Sequence, residues 1–188
     1  MLSLLLGLLL FLGMHSTSIF APTMRQKMVQ KSELGWKAIY SIVSILGIYF
    51  IAIGYNALRM EPVLIYVTPY WFRHITYFLM VPVMILFVTP YLPGKIKQVT
   101  KHPQLIAVKL WAVSHLLVNG MLADVILFGA FLAWAVLDRI SMKKREQRPI
   151  PSLKPSIIND FIAVVIGIVL TGVFVMYLHG KLIGMPLM

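Results

Sequence analysis

The chain alternates between long apolar runs and short polar links. Six apolar runs span roughly residues 2 to 21, 38 to 58, 75 to 93, 103 to 119, 121 to 137 and 157 to 178. A helix of about 20 apolar residues crosses a hydrocarbon core of about 30 Å. Such uniformly apolar runs do not fit the alternating strands of a barrel. The pattern therefore predicts an all-α integral membrane protein, a single domain over residues 1–188 with a bundle of about six transmembrane helices.

The boundary between the fourth and fifth runs contains no charged residue, so it needs separate support. Residues 104 to 137 as one helix would be about 50 Å long at a rise of 1.5 Å per residue, which exceeds the bilayer. Asn119-Gly120 is a dipeptide typical of tight turns. We therefore predict that the chain turns at this pair.

The placement of positive charge favours six crossings. The chain has 17 Lys and Arg residues against 6 Asp and Glu, a formal net charge of +11. Six crossings put every basic residue except Arg59, Arg73 and Lys181 on one side, which the positive-inside rule makes cytoplasmic. These charges, Arg148 among them, lie in short links rather than on one exposed face. We therefore expect the lipid bilayer, not nucleic acid, as the partner.

The composition excludes several classes of protein and of functional site. Hydrophobic residues make up 60% of the chain and charged residues 12%, a balance that excludes an ordinary soluble domain. The absence of cysteine excludes disulfides, thiolate haem ligation, cysteine zinc sites and iron–sulfur clusters. No phosphate loop, nucleophile elbow, metalloprotease pair or dinucleotide fingerprint is present.

Two histidines stand at membrane depth, where ionisable side chains are costly unless paired or used. His15 and His115 differ in depth by about 8 to 10 Å at the helical rise. Two readings stay open: each imidazole hydrogen-bonds within the bundle, or both ligate a metal centre such as a haem. Trp111 would then form an aromatic wall beside His115, and Asn119 would orient its imidazole.

The other ionisable residues are expected to have simpler roles. Asp124 either caps the start of the fifth helix or pairs with Arg73. Lys109 can extend to the cytoplasmic end of its helix. His74 and His179, near the outer boundary, are weaker candidates for a three-histidine metal site with His115.

Several motifs resemble the NnrU family across nearly the whole chain. They are Gly13-Met14-His15-Ser16 with Phe20-Ala21-Pro22, Tyr40-Ser41, Gly54-Tyr55, Pro93-Gly94-Lys95-Ile96-Lys97, His102-Pro103, the central block from Leu110 to Gly120, Leu127 to Phe131, and His179 to Gly184. The central block, Leu-Trp-Ala-Val-Ser-His-Leu-Leu-Val-Asn-Gly, is the most specific of them.

The resemblance implies a multi-pass protein of the bacterial cytoplasmic membrane that is linked to nitrogen-oxide metabolism in denitrification. It also implies a relationship to zeta-carotene isomerase, a haem b protein that isomerises a cis double bond. The isomerase's haem histidines match His15 and His115, while a cysteine of its central block is replaced here by Ala112. By the same resemblance, a catalytic role would be the isomerisation of a lipophilic polyene.

Our leading hypothesis from the sequence is a haem b protein with axial ligands His15 and His115, in nitrogen-oxide or redox metabolism. Arg73 and Arg59 would be partners for the haem propionates. Two alternatives are a non-catalytic membrane scaffold or assembly factor, and an enzyme like the isoprenylcysteine methyltransferases. The latter rests on Lys101-His102-Pro103, which is otherwise an ordinary helix start with Pro at its first position.

Overall fold

A computed structural model describes residues 1–145 and 150–183. Within these residues 78% of the chain is helical and no β-strand occurs, so the predicted all-α class is confirmed. An isolated antiparallel bridge joins Leu64 to Met121. Arg148 of the third basic link and Gly184 of the last motif lie outside the described residues.

The helices follow the predicted runs, with two further helices in the polar links. In chain order they are α1 (Leu2–His15), α2 (Thr17–Phe20), α3 (Pro22–Lys31), α4 (Glu33–Met60), α5 (Phe72–Val88), α6 (Lys95–Thr100), α7 (Pro103–Leu116), α8 (Leu122–Ser141) and α9 (Ile157–Val173). Helix α9 continues through a π-helical segment (Phe174–Leu178) into α10 (His179–Ile183).

Local chemistry explains where several helices begin. Helix α4 starts five residues before its apolar run because the Ser32 hydroxyl accepts a hydrogen bond from the Gly35 N–H at 3.0 Å. Helices α3 and α7 each begin with proline, whose missing N–H costs nothing at a first helical position. The predicted turn at Asn119-Gly120 is confirmed, because α7 ends at Leu116 and α8 begins at Leu122.

Among the residues that the structure describes, two helical segments are long and apolar enough to cross a membrane, α4 and Ile157–Lys181. Helices α1 and α5 are apolar but shorter, because α1 ends before Ser16 and α5 ends before Pro90. Helix α8 has 20 residues and carries charged side chains near both ends.

By their internal contacts the helices form two compact units. Unit 1 comprises Met1–Val67 and Gly120–Ser141, and unit 2 comprises Thr68–Asn119 and the described part of Met142–Met188.

In unit 1, α1 packs closely against α4 through glycines. A Cβ at Gly7 would overlap the backbone nitrogen of Ile51, and one at Gly54 would overlap the backbone of Leu4. A Cβ at Gly47 would lie 2.8 Å from the backbone nitrogen of Phe11. Small residues of this kind let two helix backbones approach within a membrane. The contact sets the position of the C-terminal half of α1 relative to α4.

In unit 2, α5 packs against α7 and α9. Val83, Leu86 and Ala107 form the buried core of this packing. The N-terminus of α6 is capped by a side chain of α9. The Asp160 carboxylate accepts hydrogen bonds from the N–H groups of Lys95 at 2.7 Å and Ile96 at 3.1 Å. A distant carboxylate thus caps a helix of only six residues.

Candidate functional site

His15 is the last residue of α1, and its ring is oriented by its own helix. The Nδ1 atom lies 2.7 Å from the Phe11 carbonyl oxygen, one turn earlier. A carbonyl only accepts hydrogen bonds, so Nδ1 carries a proton and donates to it. In the neutral imidazole, Nε2 then carries the lone pair, which is the state that a metal ligand requires.

Aromatic rings from three helices surround the His15 imidazole. The Phe11 ring stacks on it with centroids 4.1 Å apart and an interplanar angle of 28°. The Tyr40 ring of α4 lies at 5.0 Å, and the Trp134 ring of α8 meets it edge-on at 6.0 Å. The imidazole therefore sits in a largely apolar frame with one ring nitrogen committed to the backbone.

Asp138 is a member of this cluster that the apolar pattern does not predict. Its side chain is 6% exposed, and its carboxylate acts electrostatically on His15. The predicted fifth run ends at residue 137, whereas α8 continues to Ser141 and includes Asp138. The sequence feature that could have identified Asp138 is its spacing, four residues after Trp134, which places both residues on one helix face.

An apolar groove of about 440 Å³ lies between α1 and α8 in unit 1. Helix α1 contributes Leu8, Leu12 and Gly13, and α8 contributes Ala130, Ala133 and Trp134. His15 is not a lining residue, but Trp134 both lines the groove and contacts the His15 ring. The indole therefore forms a wall between the two.

His115 in unit 2 has the same local arrangement as His15. Its Nδ1 atom lies 2.8 Å from the Trp111 carbonyl oxygen, one turn earlier in α7, so Nδ1 is again the protonated nitrogen. The Trp111 ring lies beside the imidazole, with centroids 5.4 Å apart. The Asn119 backbone N–H donates to the His115 carbonyl at 2.8 Å, which closes the end of α7.

The predicted propionate partners lie beside tyrosines. The guanidinium of Arg73, an exposed residue, lies 3.4 Å from the Tyr70 ring centroid. The guanidinium of Arg59, which is half-buried, lies 5.7 Å from the Tyr55 ring centroid. Each arginine is thus placed by an aromatic neighbour in its own unit.

The weaker metal candidates gain no support. His74, near the start of α5, is exposed, and His179 is buried with its ring edge-on to Phe174 at 6.0 Å. In residues 1–145 and 150–183 no group of three or more His, Cys, Asp or Glu side chains is placed to hold a metal ion.

Comparison with known proteins assigns the family. The model of the NnrU protein family matches residues 3–187. The chain belongs to the NnrU family. The resemblance seen in the sequence motifs is thereby confirmed, and the matched region of this NnrU-family chain covers nearly all of both units. No curated protein and no solved structure matches the chain.

A second polar cluster in unit 1 joins α4 to the start of α8. The Tyr55 hydroxyl donates to Oδ1 of Asp124 at 2.5 Å, and Oδ2 of Asp124 accepts from the Met121 N–H at 3.2 Å. The second bond confirms that Asp124 caps α8. Burial and the nearby Asp124 carboxylate raise the pKa of the Tyr66 hydroxyl. The partnership with Tyr55 was not predicted, because the two residues are 69 positions apart.

Proposed function

We propose that this NnrU-family protein binds haem b through Nε2 of His15 and Nε2 of His115. The observation that carries the proposal is the hydrogen bond from Nδ1 to the carbonyl one turn earlier, which both histidines make. Histidines that ligate metals usually donate their other ring N–H to a carbonyl or a carboxylate. With no cysteine in the chain, neutral imidazoles are the suitable axial ligands.

The residues around each histidine fit this role. The carbonyls of Phe11 and Trp111 each accept a hydrogen bond from Nδ1, and the rings of Trp134 and Trp111 lie against the imidazoles. Bound haem would supply an iron centre for electron transfer or for binding a small nitrogen oxide. Arg73 and Arg59 carry positive charge for the haem propionates.

The proposed location is the bacterial cytoplasmic membrane, with six spans and the basic links in the cytoplasm. The two membrane-length segments α4 and Ile157–Lys181, the shorter apolar helices α1 and α5, and the placement of Lys and Arg support it. Nitrogen-oxide or redox metabolism is the proposed context, since it is the one implied by the NnrU family. Isomerisation of a lipophilic polyene is the reaction proposed for a catalytic form.

A non-catalytic assembly role is the second candidate. It is favoured by the fact that the same N–H···O=C bond satisfies each histidine donor within its own helix without any ligand. In that case both imidazoles would stay metal-free and would serve packing alone.

An absorption spectrum of the detergent-solubilised protein from haem-replete cells tests the proposal. We expect a Soret band that shifts on reduction and is weakened by His15→Ala and by His115→Ala. The matched control is His74→Ala, which removes an exposed histidine and should leave the band unchanged. A well-folded but colourless wild-type protein would reject haem binding and favour the assembly role.

A further inference from the structure

Four exposed side chains form one face of α3. They are Met24, Lys27, Met28 and Lys31, and we call them the Lys–Met face. Lys27 and Met28 lie three and four residues after Met24, and Lys31 lies four and three residues after them, so all four are neighbours on the helix surface. Met24 is 49% exposed and Met28 36%, so the face presents apolar surface as well as charge.

The packing of α3 on α4 fixes the direction of this face. Arg25 and Val29, one turn apart, are half-buried, and the Arg25 guanidinium lies 5.8 Å from the ring centroid of Trp36 in α4. At 3.6 residues per turn, Arg25 and Val29 are centred about 130° around the helix from the Lys–Met face. The Lys–Met face is therefore turned away from α4 and open to a partner outside the chain.

The charge of this face is not balanced by the neighbouring sequence. Residues 1–32 contain no Asp or Glu. The next acid along the chain, Glu33, pairs with Lys37 of α4 at 2.7 Å. Ammonium groups beside exposed apolar side chains are typical of a helix on an anionic membrane surface, where cations meet phosphates and apolar groups enter the acyl boundary.

We propose that the Lys–Met face binds the headgroups of anionic phospholipids. Lys27 and Lys31 contact the phosphate groups, and the two methionines contact the upper part of the acyl chains. The position of α3 supports this, because Ser32 alone joins it to α4, which is long and apolar enough to cross a membrane. Nucleic acid would satisfy the lysines but would leave the methionines in water. Lipid binding here rests on the proposed membrane location and does not depend on haem.

The test uses a fluorescent label on α3, so that basic residues elsewhere in the chain do not produce the signal. The chain has no cysteine, so Gln30→Cys, at an exposed position of α3, gives a single site for a bimane label. The labelled full chain is reconstituted in phosphatidylcholine vesicles in which a rising fraction of the lipid is brominated phosphatidylglycerol or brominated phosphatidylcholine. Quenching of the label then gives the preference of the site for the anionic lipid.

We expect clear preferential quenching by phosphatidylglycerol. Each basic residue near an anionic surface contributes about a fivefold preference. Lys31→Gln should therefore lower the preference about fivefold, and Lys27→Gln/Lys31→Gln about twentyfold. Both lysines are exposed, so these changes should leave the fold intact.

Two controls accompany these variants. Lys37→Gln is the matched control for Lys31→Gln, because Lys37 already pairs with Glu33, and it should leave the preference unchanged. A second label at Ile45→Cys, 65% exposed within α4, reports whether that helix lies in the bilayer and should be quenched by both lipids.

Preferential quenching that is lost in the double variant and kept in Lys37→Gln supports the proposal. Equal quenching by the two lipids, an unchanged preference in the double variant, or equal losses in Lys31→Gln and Lys37→Gln would overturn it. A Gln30→Cys label that neither lipid quenches also overturns it and leaves the face to an acidic soluble partner. If the Ile45→Cys label is still quenched in that case, the membrane location stands and lipid binding at α3 alone has failed.

Discussion

Replacing Gly7 with alanine tests the close approach of α1 to α4. The three atoms nearest to an added Cβ are all backbone atoms of α4: the nitrogen of Ile51, the oxygen of Gly47 at 2.7 Å and the carbonyl carbon of Phe50 at 2.8 Å. Backbone atoms cannot rotate away as a side chain does. The helices must therefore separate, and we expect Gly7→Ala to destabilise unit 1.

The expected change in the free energy of unfolding follows from two opposing effects. Overpacking a well-packed contact costs about 1–3 kcal/mol, and a clash with backbone alone belongs at the upper end, about 3 kcal/mol. Alanine offsets about 1 kcal/mol of this through its higher helix propensity. In the matched control Gly13→Ala, in the same helix, the added Cβ meets nothing within 4 Å, so this variant is only stabilised by the higher helix propensity of alanine. The two variants should differ by about 3 kcal/mol.

Thermal unfolding of the solubilised protein, followed by circular dichroism, measures this difference. For a chain of this size 1 kcal/mol corresponds to about 2–4 °C, so Gly7→Ala should melt about 6–12 °C below Gly13→Ala. Equal melting temperatures of the two variants would show that α1 and α4 are not in the close contact described.

Two further predictions concern the polar contacts. Asp160→Ala removes the carboxylate that caps α6 and should lower the free energy of unfolding by about 1–2 kcal/mol in the same assay. Asp160→Asn keeps a hydrogen-bond acceptor and should lower it less. Equal losses in the two variants would show that the cap does not stabilise the contact between α6 and α9. Tyr55→Phe leaves a buried oxygen of Asp124 without its donor and should cost about 1–3 kcal/mol; a variant as stable as wild type would contradict the pairing.

The sequence predicts the apolar helices because their signals are local. Each of the six runs contains a helix, and the turn at Asn119-Gly120 is where α7 and α8 separate. The shorter length of α1 has a less visible cause, since Ser16 interrupts the helix while the run continues to residue 21. Hydropathy alone does not register such an interruption.

The helices in the polar links could not be predicted from periodicity. Helix α3 is polar throughout most of its length and exposes its lysines, so it lacks an apolar stripe. Helix α6 depends on Asp160, which lies 65 residues away from Lys95. Contacts of that separation follow from the tertiary fold and leave no mark in the local pattern.

The candidate site, like the fold, could be predicted from the sequence only in part. His15 and His115 could be selected because a histidine in an apolar run is conspicuous, and a carbonyl four residues earlier is always present in a helix. Their aromatic neighbours Tyr40 and Trp134 come from other helices, and only the fold brings them to His15.

Haem binding is tested by measuring the haem content of the purified protein. We expect about one haem b per chain by the pyridine haemochrome assay, with a low-spin spectrum typical of two imidazole ligands, and little haem in the double variant His15→Ala/His115→Ala. Folded wild-type protein without haem, or a double variant that retains the full haem content and the same spectrum, would contradict it.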